Sequence, residues 1–152
     1  MKKVSDFMNK NVIYFNPEDS IFEVAKVFSK NNISGAPVVE NKKVIDVISE
    51  SDIVKFMSMK FGKKPSAYPS TTFMLLEFMK NQAESRRELN RISKTQIRDV
   101  MSKDVVYVSS DMSLFDAACL MEKKDINRLP VIDDGKLVGI LARADLIKAL
   151  IE

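Results

Sequence analysis

The sequence predicts an α/β (α+β) module made of two copies of a strand-helix-strand-strand-helix unit, with a helix inserted between them. Three observations carry this. Residues 4–55 and 97–148 align without a gap at a constant offset of 93, which matches Asp6 with Asp99, Met8 with Met101, Tyr14 with Tyr107 and Asp52 with Asp145. Each copy alternates β-rich runs with helical periodicity. A length of 152 residues, 45% hydrophobic and 30% charged, suffices for one compact domain or two small halves sharing a core. Half-modules of about fifty residues bury their apolar faces against each other.

Each copy opens on a β-branched and aromatic run, Val12-Ile13-Tyr14-Phe15 or Val105-Val106-Tyr107-Val108, expected as a strand. A polar turn leads to a helix start, where Ser20 with Glu23, and Ser113 with Asp116, have the spacing of a capping box. Ile21, Val24, Ala25 and Phe28, and Leu114, Ala117, Ala118 and Met121, mark one buried face in each helix. Strands beginning at Pro37 and Pro130 follow, because proline loses least at a strand start. Tight turns at 40–43 and 133–136, the second with Asp134-Gly135, lead to third strands at 44–48 and 137–141. A second helix begins near Ser51 and Ala144.

Composition excludes several kinds of function. With no histidine, neither Ser-His-Asp catalysis nor histidine metal ligation is available. The single cysteine, Cys119, forms no intramolecular disulfide or cysteine metal cluster and is expected as a small core residue. No run approaches the roughly 18 apolar residues of a membrane span, and Met1-Lys2-Lys3-Val4-Ser5-Asp6 lacks a signal-peptide pattern, so a cytoplasmic location is expected. The net charge of +3 is uneven: residues 57–96 hold eight basic and three acidic side chains, and the rest of the chain is weakly acidic. Within that segment, 61–70 reads as a loop and 72–92 as a helix whose stripe includes Phe73, Leu76, Met79 and Ala83.

The Asp-x-Met before each first strand (Asp6-Phe7-Met8, Asp99-Val100-Met101), the Pro-Val after each first helix, and a Gly-x-x-Ser/Thr-x-x-Asp pattern closing the third strands recur in order. In these the chain resembles a tandem pair of cystathionine-β-synthase (CBS) motifs, a Bateman module. The resemblance implies motif 1 over 1–56, a loop and inserted helix over 57–95, and motif 2 over 96–152, with the motifs about a pseudo-two-fold axis. It further implies no catalysis, no cofactor and no metal. The module would sense an adenine nucleotide or adenosyl compound held between the motifs, and would form a homodimer.

In the family the closing aspartate takes the ribose hydroxyls, nearby hydroxyls and helix-start N–H groups face ribose or phosphate, and the residues before Pro-Val frame the base. Carried onto this chain, one cleft takes Ser49, Ser51 and Asp52 with Ile126, Asn127 and Arg128. The other takes Asp145 with Ile33, Ser34 and Gly35. The first cleft ranks higher because it keeps its hydroxyls and adds Arg128 as a phosphate partner. It has Asp46 where the pattern expects glycine, a charge that would repel a phosphate if it entered the cleft. The second keeps Gly139 but has Ala142 and Ala144 in place of hydroxyls. Helix capping by Ser49 and Asp52 is the competing reading. The persistence of Asp145 without a capping hydroxyl argues for a ligand role, and Arg128 could instead pair with Asp125 or Asp133. The alternative function is an adaptor or scaffold that binds a protein partner or nucleic acid through the basic helix. The nucleic-acid version is weak because no aromatics interleave the basic residues.

Overall fold

The computed structural model describes residues 1–60, 83–101 and 105–152. Its elements are α1 (Val4–Phe7), α2 (Ile21–Asn31), β1 (Gly35–Glu40), β2 (Lys43–Ser49), α3 (Glu50–Lys60), α4 (Ala83–Ser93), a 3-10 turn (Ile97–Asp99), α5 (Leu114–Lys124), β3 (Arg128–Asp133), β4 (Lys136–Ala142) and α6 (Arg143–Ile151). β1 with β2, and β3 with β4, form two-stranded sheets. The expected inserted helix is described only as α4; its part from 72 to 82 and the loop at 61–70 lie outside the described residues.

The described residues fall into two compact units, each drawn from separated stretches of chain. The first comprises Met1–Tyr14, Ala36–Val47 and Lys103–Glu152. Its core is Val4, Val108, Leu114, Ala117, Met121, Leu129, Val131, Leu141 and Ala149, all nearly inaccessible to solvent. The leading segment of the first repeat docks here on elements of the second, through Val4 N–H to Met112 O (3.0 Å), Ser5 N–H to Ser110 O (2.9 Å) and Leu114 N–H to Lys2 O (2.9 Å).

The second unit comprises Phe15–Gly35 and Ile48–Ser102. It buries Phe15, Ile21, Val24, Phe28, Ile53, Ile92 and Ile97, with the Phe15 and Phe28 rings edge to face at 5.8 Å. Its docking bonds repeat those of the first unit at the offset of 93: Ile97 N–H to Asp19 O (2.8 Å), Arg98 N–H to Pro17 O (3.0 Å) and Ile21 N–H to Thr95 O (2.9 Å). Val4 and Ile97, the matched anchors, are both 0% exposed. Each repeat therefore lends its leading residues to the other repeat's core.

Gly139 shows what this docking demands. Asn9 pairs with Ile140 in both directions, at 2.9 and 3.0 Å, which lays Met8 and Asn9 across β4. A Cβ at Gly139 would sit 2.6 Å from Met8 Sδ and 3.2 Å from the Asn9 carbonyl oxygen. The methionine of Asp-x-Met and the glycine of the closing pattern are two sides of one contact. Asp6 acts separately, its carboxylate accepting from Lys3 N–H at 2.8 Å to cap α1.

Local signals held where the interaction is local. Ser20 and Glu23 form the reciprocal capping box, with bonds of 2.9 and 3.1 Å. Ser113 Oγ accepts from Asp116 N–H at 3.0 Å and donates to its carboxylate at 2.7 Å. Ile21, Val24 and Phe28, and Leu114, Ala117 and Met121, are buried as their spacing predicts.

Three expectations are corrected. Residues 12–15 and 105–108 are not strands; Val108 makes a single parallel bridge to Val131, donating to Pro130 O (3.1 Å) and accepting from Ile132 N–H (2.8 Å). The next bond of that ladder needs an N–H on Pro130, which proline lacks. Ala25 is exposed, at the edge of the α2 stripe. Cys119 is exposed rather than in the core, because the buried face of α5 is complete without it. Asp46, which stands where the pattern expects glycine, is 3% exposed.

Both hairpin turns place two residues at positive φ, as a type I′ turn requires: Asn41 (50°) with Lys42 (65°), and Asp134 (49°) with Gly135 (77°). A lysine in the left-handed region is strained by about 1–2 kcal/mol relative to ordinary backbone. Lys42→Gly is therefore expected to stabilise the protein by about 1 kcal/mol, read as a rise of about 2–4 °C in melting temperature.

At the far end of β3, hydrogen bonds from Ser110 hold the Asp133 carboxyl below the ordinary aspartate value of 3.8. A depressed carboxylate adds stability above its unfolded pKa, and loses it as pH falls through the lower folded value. Asp133→Asn is expected to flatten the acid limb of the stability profile below about pH 4, checked by denaturant titrations across that range.

Candidate functional site

The expected site residues sit on two equivalent backbone arrangements, one in each unit. In the second unit α2 ends on Asn32 at φ 53°, and Ile33 N–H returns to Phe28 O at 3.1 Å. This left-handed end redirects the chain through Ile33 and Ser34, both half-buried, into buried Gly35 at the start of β1. The Ser34 carbonyl then accepts from Glu50 N–H at 3.0 Å, fixing the turn to the start of α3. In the first unit the same steps recur at the offset of 93. α5 ends on Asp125 at φ 51°, Ile126 N–H returns to Met121 O at 3.0 Å, and the Asn127 carbonyl accepts from Arg143 N–H at 3.1 Å. Each unit thus brings the residues before Pro-Val together with the closing aspartate of the same repeat.

At the start of α3, Asp52 Oδ2 accepts from Ser49 N–H (2.9 Å) and from Ser49 Oγ–H (3.0 Å), while Ser49 Oγ accepts from Asp52 N–H (3.3 Å). The Ser49 hydroxyl is committed to this cap; Ser51 is exposed outside it. At the start of α6, Asp145 Oδ2 accepts from Ala142 N–H at 2.8 Å, so the aspartate caps without a serine partner. The survival of Asp145 beside Ala142 therefore has a structural reason. It does not by itself argue for a ligand, because half of the capping interaction uses a backbone N–H that any residue supplies.

Capping leaves chemistry over. Asp52 Oδ1 has no hydrogen-bond partner among the described residues, and Asp145 Oδ1 meets only Lys148 Nζ at 3.5 Å. In both, one oxygen locks the carboxylate while the other stays able to accept two hydroxyls. Asn127 is exposed, and Ile126 and Arg128 are half-buried.

Sequence reasoning missed Arg143. Its Nε donates to Ile126 O at 3.2 Å, and its terminal nitrogens face Glu122 (3.5 Å) and Asp125 (3.9 Å). It staples the 125–127 turn onto the start of α6. The available signal was the offset itself, which sets Arg143 against Glu50 and makes this staple specific to the second repeat. Among the described residues no group of acidic or cysteine side chains is arranged to hold a metal, and no helix is long and apolar enough to cross a membrane.

A family model described as the CBS domain matches residues 4–59 and 97–152. An uncharacterised protein of Methanocaldococcus jannaschii, MJ1426, is 40% identical over 97% of this chain and 90% of its own length. The chain also matches MJ1232 of that organism at 32% identity, covering 39% of it, so similar modules occur within longer chains. Among solved structures, the CBS domain pair of MJ0100, in complex with 5′-methylthioadenosine and S-adenosyl-L-methionine, is similar with a TM-score of 0.73, 24% identity, and 99% and 96% of the two chains covered. CBSX2 in complex with AMP is similar with a TM-score of 0.70, 24% identity, and 99% and 97% covered. At these identities the likeness is one of fold.

Proposed function

Because the chain belongs to the CBS domain family, we propose that it is a non-catalytic regulatory module that binds an adenosine-containing ligand between its two CBS motifs. Asp52 and Asp145 would receive ribose hydroxyls. Ser51 and Arg128 would stand toward phosphate, Ser49 would hold Asp52 in place through the cap, and Ile33-Ser34-Gly35 and Ile126-Asn127 would frame the base. The observation that carries this reading is the pair of aspartates, each fixed by one oxygen at a helix start with the other available. Support comes from MJ0100 and CBSX2, solved with adenosyl compounds and AMP. A binding screen of AMP, ADP, ATP, S-adenosylmethionine, methylthioadenosine and NAD tests the reading; saturable binding of at least one supports it, and binding of none defeats it.

A homodimer in the cytoplasm is part of the same proposal. Phe115 on α5 and Ile147, Leu150 and Ile151 on α6 are 64–86% exposed on two helices that pack together in the first unit. Apolar side chains gathered in this way are characteristic of an association surface. Phe115→Asp with Ile147→Asp is expected to shift the protein toward monomer by light scattering. An unchanged mass would remove this surface from the proposal.

The second reading, an adaptor acting through the inserted helix, draws on Arg86, Arg87 and Arg91, all carried on α4. Neutralising the three should abolish any salt-sensitive affinity for nucleic acid. Sub-micromolar binding near physiological salt, lost in that variant, would make the adaptor the better reading.

A further inference from the structure

A second candidate site lies wholly inside the first unit, and neither Asp52 nor Asp145 lines it. A groove of about 360 Å³ is lined by Lys10, Lys42 and Lys136 together with Tyr14, Val12 and Val39. Among the described residues no acidic side chain lines it. None of the three lysine side chains makes an ion pair or hydrogen bond among the described residues, and Tyr14 is 56% exposed.

Three like charges around one groove repel one another, and an anion among them relieves that repulsion. Lys42 adds an independent observation, because it occupies a backbone position that disfavours it. Its φ is 65°, and the matched residue of the second repeat is Gly135, at φ 77°. The second repeat thus closes the same turn with the residue the geometry prefers, so the turn does not require a lysine. Backbone strain kept at one copy of a repeat and absent from the other calls for a functional explanation, and the groove supplies one.

We infer that this groove binds a small molecule carrying a chain of phosphates, with three or more negative charges against the three ammonium groups. Its volume falls in the small-ligand range, and lysines serve as point charges for phosphate oxygens. The Tyr14 ring with Val12 and Val39 offers an apolar wall for whatever body the phosphates carry. The site is independent of the adenosine reading, since it uses neither Asp52 nor Asp145.

Calorimetric titration with inorganic tripolyphosphate tests the inference. One equivalent should bind at low ionic strength, with affinity falling as salt is added. The combined variant Lys10→Gln, Lys42→Gly, Lys136→Gln should bind at least about tenfold more weakly. Lys42→Gly alone should weaken binding about threefold while its melting temperature rises, a divergence that a purely structural lysine would not produce. Uridine triphosphate separates the sources of the phosphate chain: tighter binding than tripolyphosphate indicates a nucleotide, and equal binding a free polyphosphate. Absence of tripolyphosphate binding at millimolar concentration, or full affinity in the combined variant, overturns the inference. AMP binding should be unchanged in that variant, so failure here is distinguishable from failure of the adenosine reading.

Discussion

Saturating the protein with the proposed adenosine-containing ligand, at about 100 times the dissociation constant, is expected to add about 2.7 kcal/mol of stability. For a chain of this length that is a rise of about 5–11 °C in melting temperature. Differential scanning fluorimetry with the six compounds reads it directly. No movement of the transition with any of them at millimolar concentration would contradict a sensing role.

Gly139→Val is expected to destabilise the apo protein by about 1–3 kcal/mol. The first added carbon already meets Met8 Sδ at 2.6 Å and the Asn9 carbonyl at 3.2 Å. The sulfur can swing away, but the carbonyl is held by the Asn9–Ile140 bonds. Met8→Ala in the same chain should therefore recover only part of the loss, and a double-mutant cycle by urea denaturation measures that part. Full recovery would show that the backbone of the docked segment yields freely. No loss at all would show that the segment does not need to lie on β4.

The helices and third strands were legible because their determinants are local. Ser20 and Glu23 bond within one turn, and Ile21, Val24 and Phe28 share one stripe. The constant offset was legible too, and its physical content proved larger than residue identity: the docking bonds at Val4 and Ile97, and the turn bonds at Ile33 and Ile126, repeat in the same register. The exchange of leading segments was not legible. Residues 12–15 have strand composition, but only a partner with free N–H groups makes a strand, and Pro130 removes one from the matching place in the second repeat. The aspartates were found by pattern, whereas which of their oxygens caps the helix is visible only in three dimensions. The lysine groove could not be read at all, since Lys10, Lys42 and Lys136 are far apart in sequence and each alone resembles a solvated turn residue.

The central claim is that the capped aspartates also hold a ligand, and Asp52→Asn addresses it most directly. Asparagine keeps an acceptor for the Ser49 N–H, so apo stability should change by no more than about 1 kcal/mol. It loses the charge that strengthens bonds from ribose hydroxyls, so affinity measured by calorimetric titration should fall about tenfold or more. An apo protein clearly destabilised by the change, yet binding the ligand with unaltered affinity, would reduce Asp52 to a helix cap and contradict the account.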